Sequence, residues 1–180
     1  MHVHRERGSK MSEPAGITLE AALDEERGRL SRRVLEYALV MKRLIDRAKQ
    51  PGFTAASWAP LAEMVAVNGF ERVGTFKEVV RWDDYVELLT GWAIRSDWHP
   101  LVRRVSEQPG LVYLELAELA IYDGGEERIN SVSVYEFDQQ DRIRHLDVYM
   151  QQEQGVVQHK ETWDYSENPD HPPEPGPRQQ

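Results

Sequence analysis

The spacing of apolar residues changes near Trp98, and this change limits the possible folds more than any other feature. Before Trp98, apolar residues recur every three or four positions, which is typical of amphipathic helices. After it, runs rich in β-branched and aromatic residues lie between turn sequences such as Pro109-Gly110 and Asp123-Gly124-Gly125. Helices followed by a meander of antiparallel strands predict an α+β domain.

Three helices are predicted in the first part of the chain. A long amphipathic helix at 18–49 ends at Pro51 and Gly52, because neither residue continues a helix well. A short second helix spans 57–64, and a third begins near Trp82, where two acidic residues suit the positive end of the helix dipole. All three helices come before the sheet.

Four strands follow, at 101–105, 111–122, 128–137 and 143–150. Strict alternation in the last strand places His145, Asp147 and Tyr149 on the same side as Ile143. Both sides of the strands carry apolar groups, so both faces of the sheet need to be covered. A second copy of the chain is an economical cover, and we expect a homodimer through the outer face of the sheet.

The composition excludes several classes of function. The chain has 180 residues and a formal charge of -9, so we expect one domain and no nucleic-acid partner, because phosphate binding needs clustered Lys and Arg. No apolar run approaches the roughly 20 residues that span a bilayer, and the start is polar, so we expect a cytoplasmic protein with no membrane partner.

The absence of cysteine removes disulfides, thiolate metal sites and cysteine nucleophiles together. No phosphate-binding glycine loop and no residue cluster with the spacing of a metal site occurs in the sequence. We therefore expect neither a cofactor nor a metal.

Two terminal segments differ in composition from the middle of the chain. Residues 1–16 lack periodicity and are predicted to form a mobile arm. Residues 164–180 are rich in proline and polar residues, which cannot bury enough apolar surface to fold, so a disordered tail is predicted. The predicted domain spans 17–163.

The run Asp141-Arg142-Ile143-Arg144-His145-Leu146-Asp147-Val148-Tyr149 resembles the closing strand of the nuclear transport factor 2-like superfamily. Val73-Gly74 and the segment 130–137 add to this resemblance, which covers roughly residues 30–152. It implies three N-terminal helices packed on a strongly curved antiparallel sheet of about four strands, forming a cone with an internal pocket. The superfamily includes SnoaL-like cyclases, ketosteroid isomerases, limonene-type epoxide hydrolases and binding proteins, so the fold alone does not select a function.

The resemblance implies a catalytic role for Asp147, which falls where the cyclases and hydrolases carry an acid/base aspartate. A carboxylate partly removed from water has a raised pKa that suits proton transfer, although a carboxylate at the wet rim of the sheet would give the same pattern. His145 would share a hydrogen bond with Asp147 or orient a water, or would be a surface histidine. Asn68 matches the water-holding asparagine of the hydrolases, but Asn68-Gly69 is also a turn signal, and we favour the turn.

Other residues are expected to line the pocket. Glu115 and Glu118 have opposite parity in their strand, so only one can enter, and Glu118 is the choice. The hydroxyl and aromatic candidates for ligand binding are Tyr149, Ser133, Tyr135, Trp58, Trp92 and Trp98. Each of them has an ordinary structural alternative, which for the tryptophans is a place in the core.

The leading hypothesis is a SnoaL-like enzyme in which Asp147 exchanges a proton with a small apolar or amphipathic molecule without a cofactor. The reaction would be an isomerisation, a cyclisation, a dehydration or the opening of an epoxide. The alternative is a non-catalytic ligand-binding or assembly module, which is favoured by the lack of the hydrolases' arginine in the segment 114–120. The site depends on one premise, that Asp147 projects beneath the helices.

Overall fold

The computed structural model describes residues 16–152, and the structural statements below refer to this part of the chain. The predicted tail at 164–180 and all of the predicted arm except Gly16 lie outside the described residues. None of the described helices is both long and apolar enough to cross a membrane.

Four α-helices are described, together with 3-10 turns at Ala55–Trp58 and Val67–Gly69. The helices are α1 (Leu19–Asp24), α2 (Arg29–Arg47), α3 (Ala59–Ala62) and α4 (Trp82–Ala93). The predicted helix at 18–49 is therefore divided in two, because Gly28 is extended and precedes a new helix start. The third predicted helix is confirmed as α4, with Asp83 and Asp84 in its first turn.

The start of α2 receives its cap from a distant strand. Gly28 offers no side chain, and the carboxylate of Glu107 instead accepts a hydrogen bond of 2.8 Å from the backbone N–H of Ser31. Burial opposes the ionisation of Glu107, but hydrogen bonds from Ser31 and from the backbone of Leu30 outweigh it and lower the pKa of Glu107. A carboxylate at this position also interacts favourably with the helix dipole.

Six strands form one open sheet in the order β2-β1-β6-β5-β4-β3. Their bounds are Glu71–Val73 (β1), Val79–Val80 (β2), Ser96–Gln108 (β3), Leu111–Tyr122 (β4), Gly125–Phe137 (β5) and Ile143–Gln152 (β6). The four predicted strands correspond to β3–β6, and the short strands β1 and β2 were not predicted. β1 pairs parallel to β6, and every other pairing between these strands is antiparallel.

One face of the sheet packs on the helices and is called the inner face. On it, Val112, Leu114 and Leu116 of β4 are buried in the hydrophobic core. Tyr135 of β5 pairs with Val112 and meets Tyr37 of α2 edge to face, with ring centroids 5.9 Å apart. The opposite side of the sheet is called the outer face.

A β-bulge near the start of β6 changes the alternation on which the sequence prediction depended. Phe137 of β5 pairs with Ile143, but the preceding Glu136 pairs with His145, so Arg144 is an extra residue in β6. An extra residue moves all following side chains to the other face. Ile143 points inward, and beyond the bulge the even-numbered residues do so.

The prediction that Asp147 projects beneath the helices is therefore wrong. Leu146 is 2% exposed and belongs to the core, and Val148 packs against that core. Asp147 lies between these two residues along the strand and points to the outer face, together with His145 and Tyr149. Asp147 therefore does not line a pocket beneath the helices.

Candidate functional site

Glu118 is a partly buried acidic residue on the inner face of β4, in the same row of side chains as Leu114 and Leu116. Its carboxylate accepts a hydrogen bond of 2.6 Å from Nε1–H of Trp98 in β3 and another from the hydroxyl of Ser131 in β5. Within residues 16–152, no Arg or Lys forms an ion pair with Glu118. The carboxylate is thus fixed in place without a cationic partner among the described residues.

Burial raises the pKa of Glu118 because it disfavours the charged form. The hydrogen bonds from Ser131 and Trp98 act in the opposite direction, and the nearby carboxylate of Glu127 raises the pKa further. Glu115, on the opposite face of the same strand, shows the contrast: its hydrogen bond from Arg104 lowers its pKa. Glu118 thus lies on the inner face and Glu115 on the outer face, consistent with their opposite parity, and a ligand-binding role for Glu118 stays a prediction.

Aromatic side chains form a connected group that begins with Trp98, the indole that donates to Glu118. The rings of Trp92 and Trp98 pack edge to face with centroids 6.2 Å apart. Nε1–H of Trp92 donates a hydrogen bond of 3.2 Å to the hydroxyl of Tyr122, which in turn donates to the carboxylate of Glu127 over 3.5 Å. We call this group of six residues the Glu118 site: Glu118, Glu127, Ser131, Trp92, Trp98 and Tyr122.

The other part of the inner face is filled by aromatic side chains of the protein itself. The hydroxyl of Tyr37 donates to that of Tyr85 over 3.4 Å, and burial raises the pKa of both phenols and of Tyr135. Arg72 of β1 lies over the ring of Tyr85, 5.7 Å from its centroid. Ser133 and Tyr135 lie on the inner face as predicted, but both are buried, and Tyr135 is packed beneath α2.

The catalytic pair predicted from the sequence lies together on the outer face. Nε2 of His145 is 3.1 Å from Oδ1 of Asp147, which confirms the expected contact between the two side chains. Nδ1 of His145 is 3.6 Å from a carboxylate oxygen of Glu71, which also pairs with Arg81 over 2.9 Å. Tyr149, predicted to bind the ligand, is 60% exposed. These residues are not enclosed by the helices, and their chemical roles stay predictions.

Two further candidates lie away from the Glu118 site. Asn68 is exposed in the 3-10 turn Val67–Gly69, so the turn favoured from the sequence is confirmed. Trp58 is 1% exposed, donates a hydrogen bond of 2.9 Å to Thr90 of α4, and packs edge to face on Phe53. It is a core residue that joins the second helical segment to α4.

Two of the hollows on the surface of the described residues lie away from both Glu118 and Asp147. One, of about 340 Å³, lies among Arg29, Arg32 and Arg33 at the start of α2. The other, of about 360 Å³, lies beside Asn68 and Arg142. At this end of the inner face, Trp92 and Tyr122 are partly exposed, whereas Trp98 and Ser131 are buried.

The sequence contained a signal for some of the residues that were not predicted. Ser131 has the same parity as Ser133, so strand alternation alone would have placed it on the inner face. Glu127 has this parity as well, but the predicted strand began at residue 128, one position too late to include it. Tyr122 is identified as a site residue only by its contacts with Trp92 and Glu127 in the structure.

The sheet and its helices are similar to solved structures of the SnoaL-like type. A candidate SnoaL-like polyketide cyclase from Shewanella putrefaciens CN-32 aligns with a TM-score of 0.55 and 11% sequence identity, over 78% of this chain and 92% of that one. A second candidate SnoaL-like polyketide cyclase, from Jannaschia sp. CCS1, aligns with a TM-score of 0.50 and 14% identity, over 70% of this chain and 90% of that one. The described domain has the SnoaL-like, nuclear transport factor 2-like fold.

This confirms the fold named from the closing strand, although β6 places its side chains differently from the prediction. No protein-family model matches the sequence, and no curated protein matches it. At identities this low, likeness to SnoaL-like structures establishes the fold alone. The roles of residues in this domain must therefore be argued from its own geometry.

Proposed function

We propose that this SnoaL-like domain is a cofactor-independent enzyme in which Glu118, rather than Asp147, exchanges a proton with a small, largely apolar molecule. The observation that carries the proposal is the setting of the Glu118 carboxylate. It is partly buried on the inner face, has a raised pKa, and has no cationic partner within residues 16–152. Perturbed carboxylates of this kind are typical of acid/base sites.

The surroundings of Glu118 suit both protonation states. Burial favours the neutral acid, which can donate a proton, whereas Trp98 and Ser131 donate hydrogen bonds that stabilise the carboxylate, which can accept one. A group balanced in this way is suited to general acid or general base catalysis. Isomerisation, cyclisation, dehydration and epoxide opening all need such a proton transfer. The likeness to two candidate polyketide cyclases supports an enzyme of this broad type.

A non-catalytic assembly module is the second candidate, and the outer face favours it. Val132 of β5 and Tyr149 of β6 are paired neighbours on this face and are 37% and 60% exposed, so they form a small apolar patch suited to contact with another surface. Around them, Arg104 pairs with Glu115, and Arg144 with Glu136. We propose that this mixed apolar and charged face is where two copies of the chain associate.

Proton exchange at carbon tests the catalytic proposal without knowledge of the substrate. An enolisable apolar ketone such as 2-tetralone is incubated with the full chain in deuterium oxide, and NMR follows loss of the proton next to the carbonyl group. We expect the protein to accelerate exchange and Glu118→Gln to remove about 100-fold or more of that acceleration. Glu115→Gln, altered on the same strand but on the outer face, should keep it.

The pH dependence of tryptophan fluorescence provides a second readout. Because Nε1 of Trp98 donates to Glu118, its emission should titrate with the carboxyl group, with a midpoint above the ordinary value of 4.5. Glu118→Gln should remove this transition, and Glu115→Gln should not. Equal exchange rates in wild type and Glu118→Gln would remove Glu118 from the chemistry, even if the fluorescence transition were found.

A further inference from the structure

The two oxygens of the Glu118 carboxylate have different hydrogen-bond partners. Oε2 accepts a hydrogen bond of 2.6 Å from Nε1–H of Trp98 in β3, and Oε1 accepts one from the hydroxyl of Ser131 in β5. Trp98 and Ser131 are both buried, so water competes little with either contact. The two oxygens therefore differ in how easily each can take up a proton.

The partner of Oε2 is a fixed donor. An indole N–H donates a hydrogen bond but cannot accept one, so Trp98 needs an oxygen that presents a lone pair. Protonation of Oε2 would make it the hydroxyl oxygen of a carboxylic acid, which is a weaker acceptor than a carbonyl oxygen. The ring of Trp98 is held by its burial and by its edge-to-face contact with Trp92. Protonation at Oε2 would therefore weaken a buried hydrogen bond, which is costly.

The partner of Oε1 can change its role. A serine hydroxyl has one hydrogen and two acceptor lone pairs, and it rotates to suit its neighbours. Ser131 donates to Oε1 when Glu118 is ionised, and after protonation of Oε1 its hydroxyl can turn to present a lone pair. Protonation at Oε1 therefore leaves the hydrogen bond from Trp98 to Oε2 intact.

The ionisable neighbours of Glu118 act on its charge as a whole. They include the carboxyl group of Glu127 and the phenols of Tyr122 and Tyr135. Phenols are neutral at the pH values where carboxyl groups titrate. The Lys and Arg side chains of the described residues form no ion pair with either oxygen. Hydrogen bonding, rather than a neighbouring charge, therefore distinguishes Oε1 from Oε2.

We propose that Ser131 is a positioning residue that makes Oε1 the oxygen at which Glu118 takes up and releases its proton. This inference rests on the proposed function, because it assigns the reacting atom of the same site. When Glu118 acts as a base, a C–H bond of the substrate breaks, its electron pair stays on the substrate as an enolate, and an O–H bond forms at Oε1. Return of the proton reverses these changes. Met150 of β6 pairs with Ser131 and is partly exposed, so an apolar contact is available on this side of the carboxylate.

NMR of the isotope-labelled full chain locates the proton. The indole N–H signal of Trp98 is assigned by its loss in Trp98→Phe and is followed as the pH crosses the midpoint of Glu118. We expect it to keep the downfield proton shift of a hydrogen-bonded indole on both sides of the midpoint. Ser133→Ala is the matched control, because it removes a buried hydroxyl from the same face of β5, and it should leave this behaviour unchanged. Glu127→Gln identifies any part of the titration that belongs to Glu127.

Exchange of 2-tetralone at several pH values tests the role of Ser131. Ser131→Ala removes one of the two contacts that orient the carboxylate, so the exchange rate above the midpoint should fall about tenfold. Burial raises the pKa of Glu118 and the hydrogen bond from Ser131 opposes this, so the midpoint of the pH–rate profile should move upward in Ser131→Ala. Ser131→Thr keeps the hydroxyl and should restore both the rate and the midpoint. A purely structural role for Ser131 would not move the midpoint.

The inference is overturned if the Trp98 signal moves upfield on acidification, because the proton would then lie on Oε2. A wild-type rate and midpoint in Ser131→Ala would overturn it as well, and so would a folded Ser131→Thr with no recovery. If circular dichroism showed that Ser131→Ala does not fold, Ser131→Thr and the Trp98 signal would decide.

These results are distinguishable from failure of the proposed function. Exchange that depends on Glu118 but not on Ser131 would leave the enzyme proposal standing and remove only the role of Ser131. If the wild type does not accelerate exchange, the enzyme proposal fails, and the Trp98 signal alone decides which oxygen carries the proton.

Discussion

Replacing Leu146 and Asp147 separately by alanine tests which residues of β6 face the helices. Leu146 is 2% exposed and packs in the core, so Leu146→Ala removes three buried carbons. At about 0.8 kcal/mol for each, the transfer free energy alone is about 2.4 kcal/mol, and the cavity left behind brings the expected cost to about 3–5 kcal/mol. Asp147 is partly exposed and contacts His145, so Asp147→Ala should change stability by less than about 1 kcal/mol.

Urea denaturation followed by far-UV circular dichroism measures both effects. With a slope of about 2 kcal/mol per molar urea, Leu146→Ala should lower the midpoint by about 1.5–2.5 M, and Asp147→Ala by less than about 0.5 M. Measurements at several protein concentrations separate folding from association, because Asp147 lies on the face proposed to join two copies. A larger loss for Asp147→Ala than for Leu146→Ala at every concentration would refute the bulge at Arg144 and the assignment of faces.

Three further predictions concern other parts of the domain. The pKa of Glu118 is raised in the folded state, so the folded protein holds this proton more tightly than the unfolded chain does. The free energy of unfolding should therefore fall as pH rises above 4.5. Urea titrations at several pH values should show this slope in wild type and a flatter slope in Glu118→Gln. Glu107→Gln should lower the free energy of unfolding by about 1 kcal/mol at pH 7, because it weakens the cap of α2. Since the pKa of Glu107 is lowered by folding, its contribution should vanish as pH falls below 4.5, so a difference from wild type that persists at pH 2 would contradict the cap. Val132→Asp should weaken self-association measured by sedimentation velocity and leave the monomer folded, and an unchanged sedimentation profile would count against the outer face as the contact.

The strands could be predicted well where turn residues mark both ends. β4 begins after Pro109-Gly110 and ends before Asp123-Gly124, and its predicted bounds at 111–122 agree with the structure. Gly110 and Gly124 both have positive φ, which glycine adopts at little cost, so these turns were encoded locally. β1 and β2 could not be predicted in this way, because strands of three and two residues carry too few side chains to show alternation.

The candidate site was harder to predict because it depends on one extra residue. Hydrophobic alternation assigns a face only within an uninterrupted strand, and the bulge at Arg144 divides β6 into two parts with opposite parity. Both sides of β6 carry apolar residues, so the sequence did not show which parity holds. Glu118 was placed correctly, because β4 shows no register shift in its pairing with β5.

The parallel pairing of β1 with β6 ties an early segment of the chain to the last described strand. Phe70 precedes β1 and packs against Trp82, which follows β2, but β6, the parallel neighbour of β1, is complete only when residues 143–152 have been made. During synthesis, about 70 further residues must be added after β1 before β6 leaves the ribosome. Contacts of such long sequence separation slow folding and prolong exposure of apolar surface, so nascent chains that end before residue 143 should need protection from aggregation.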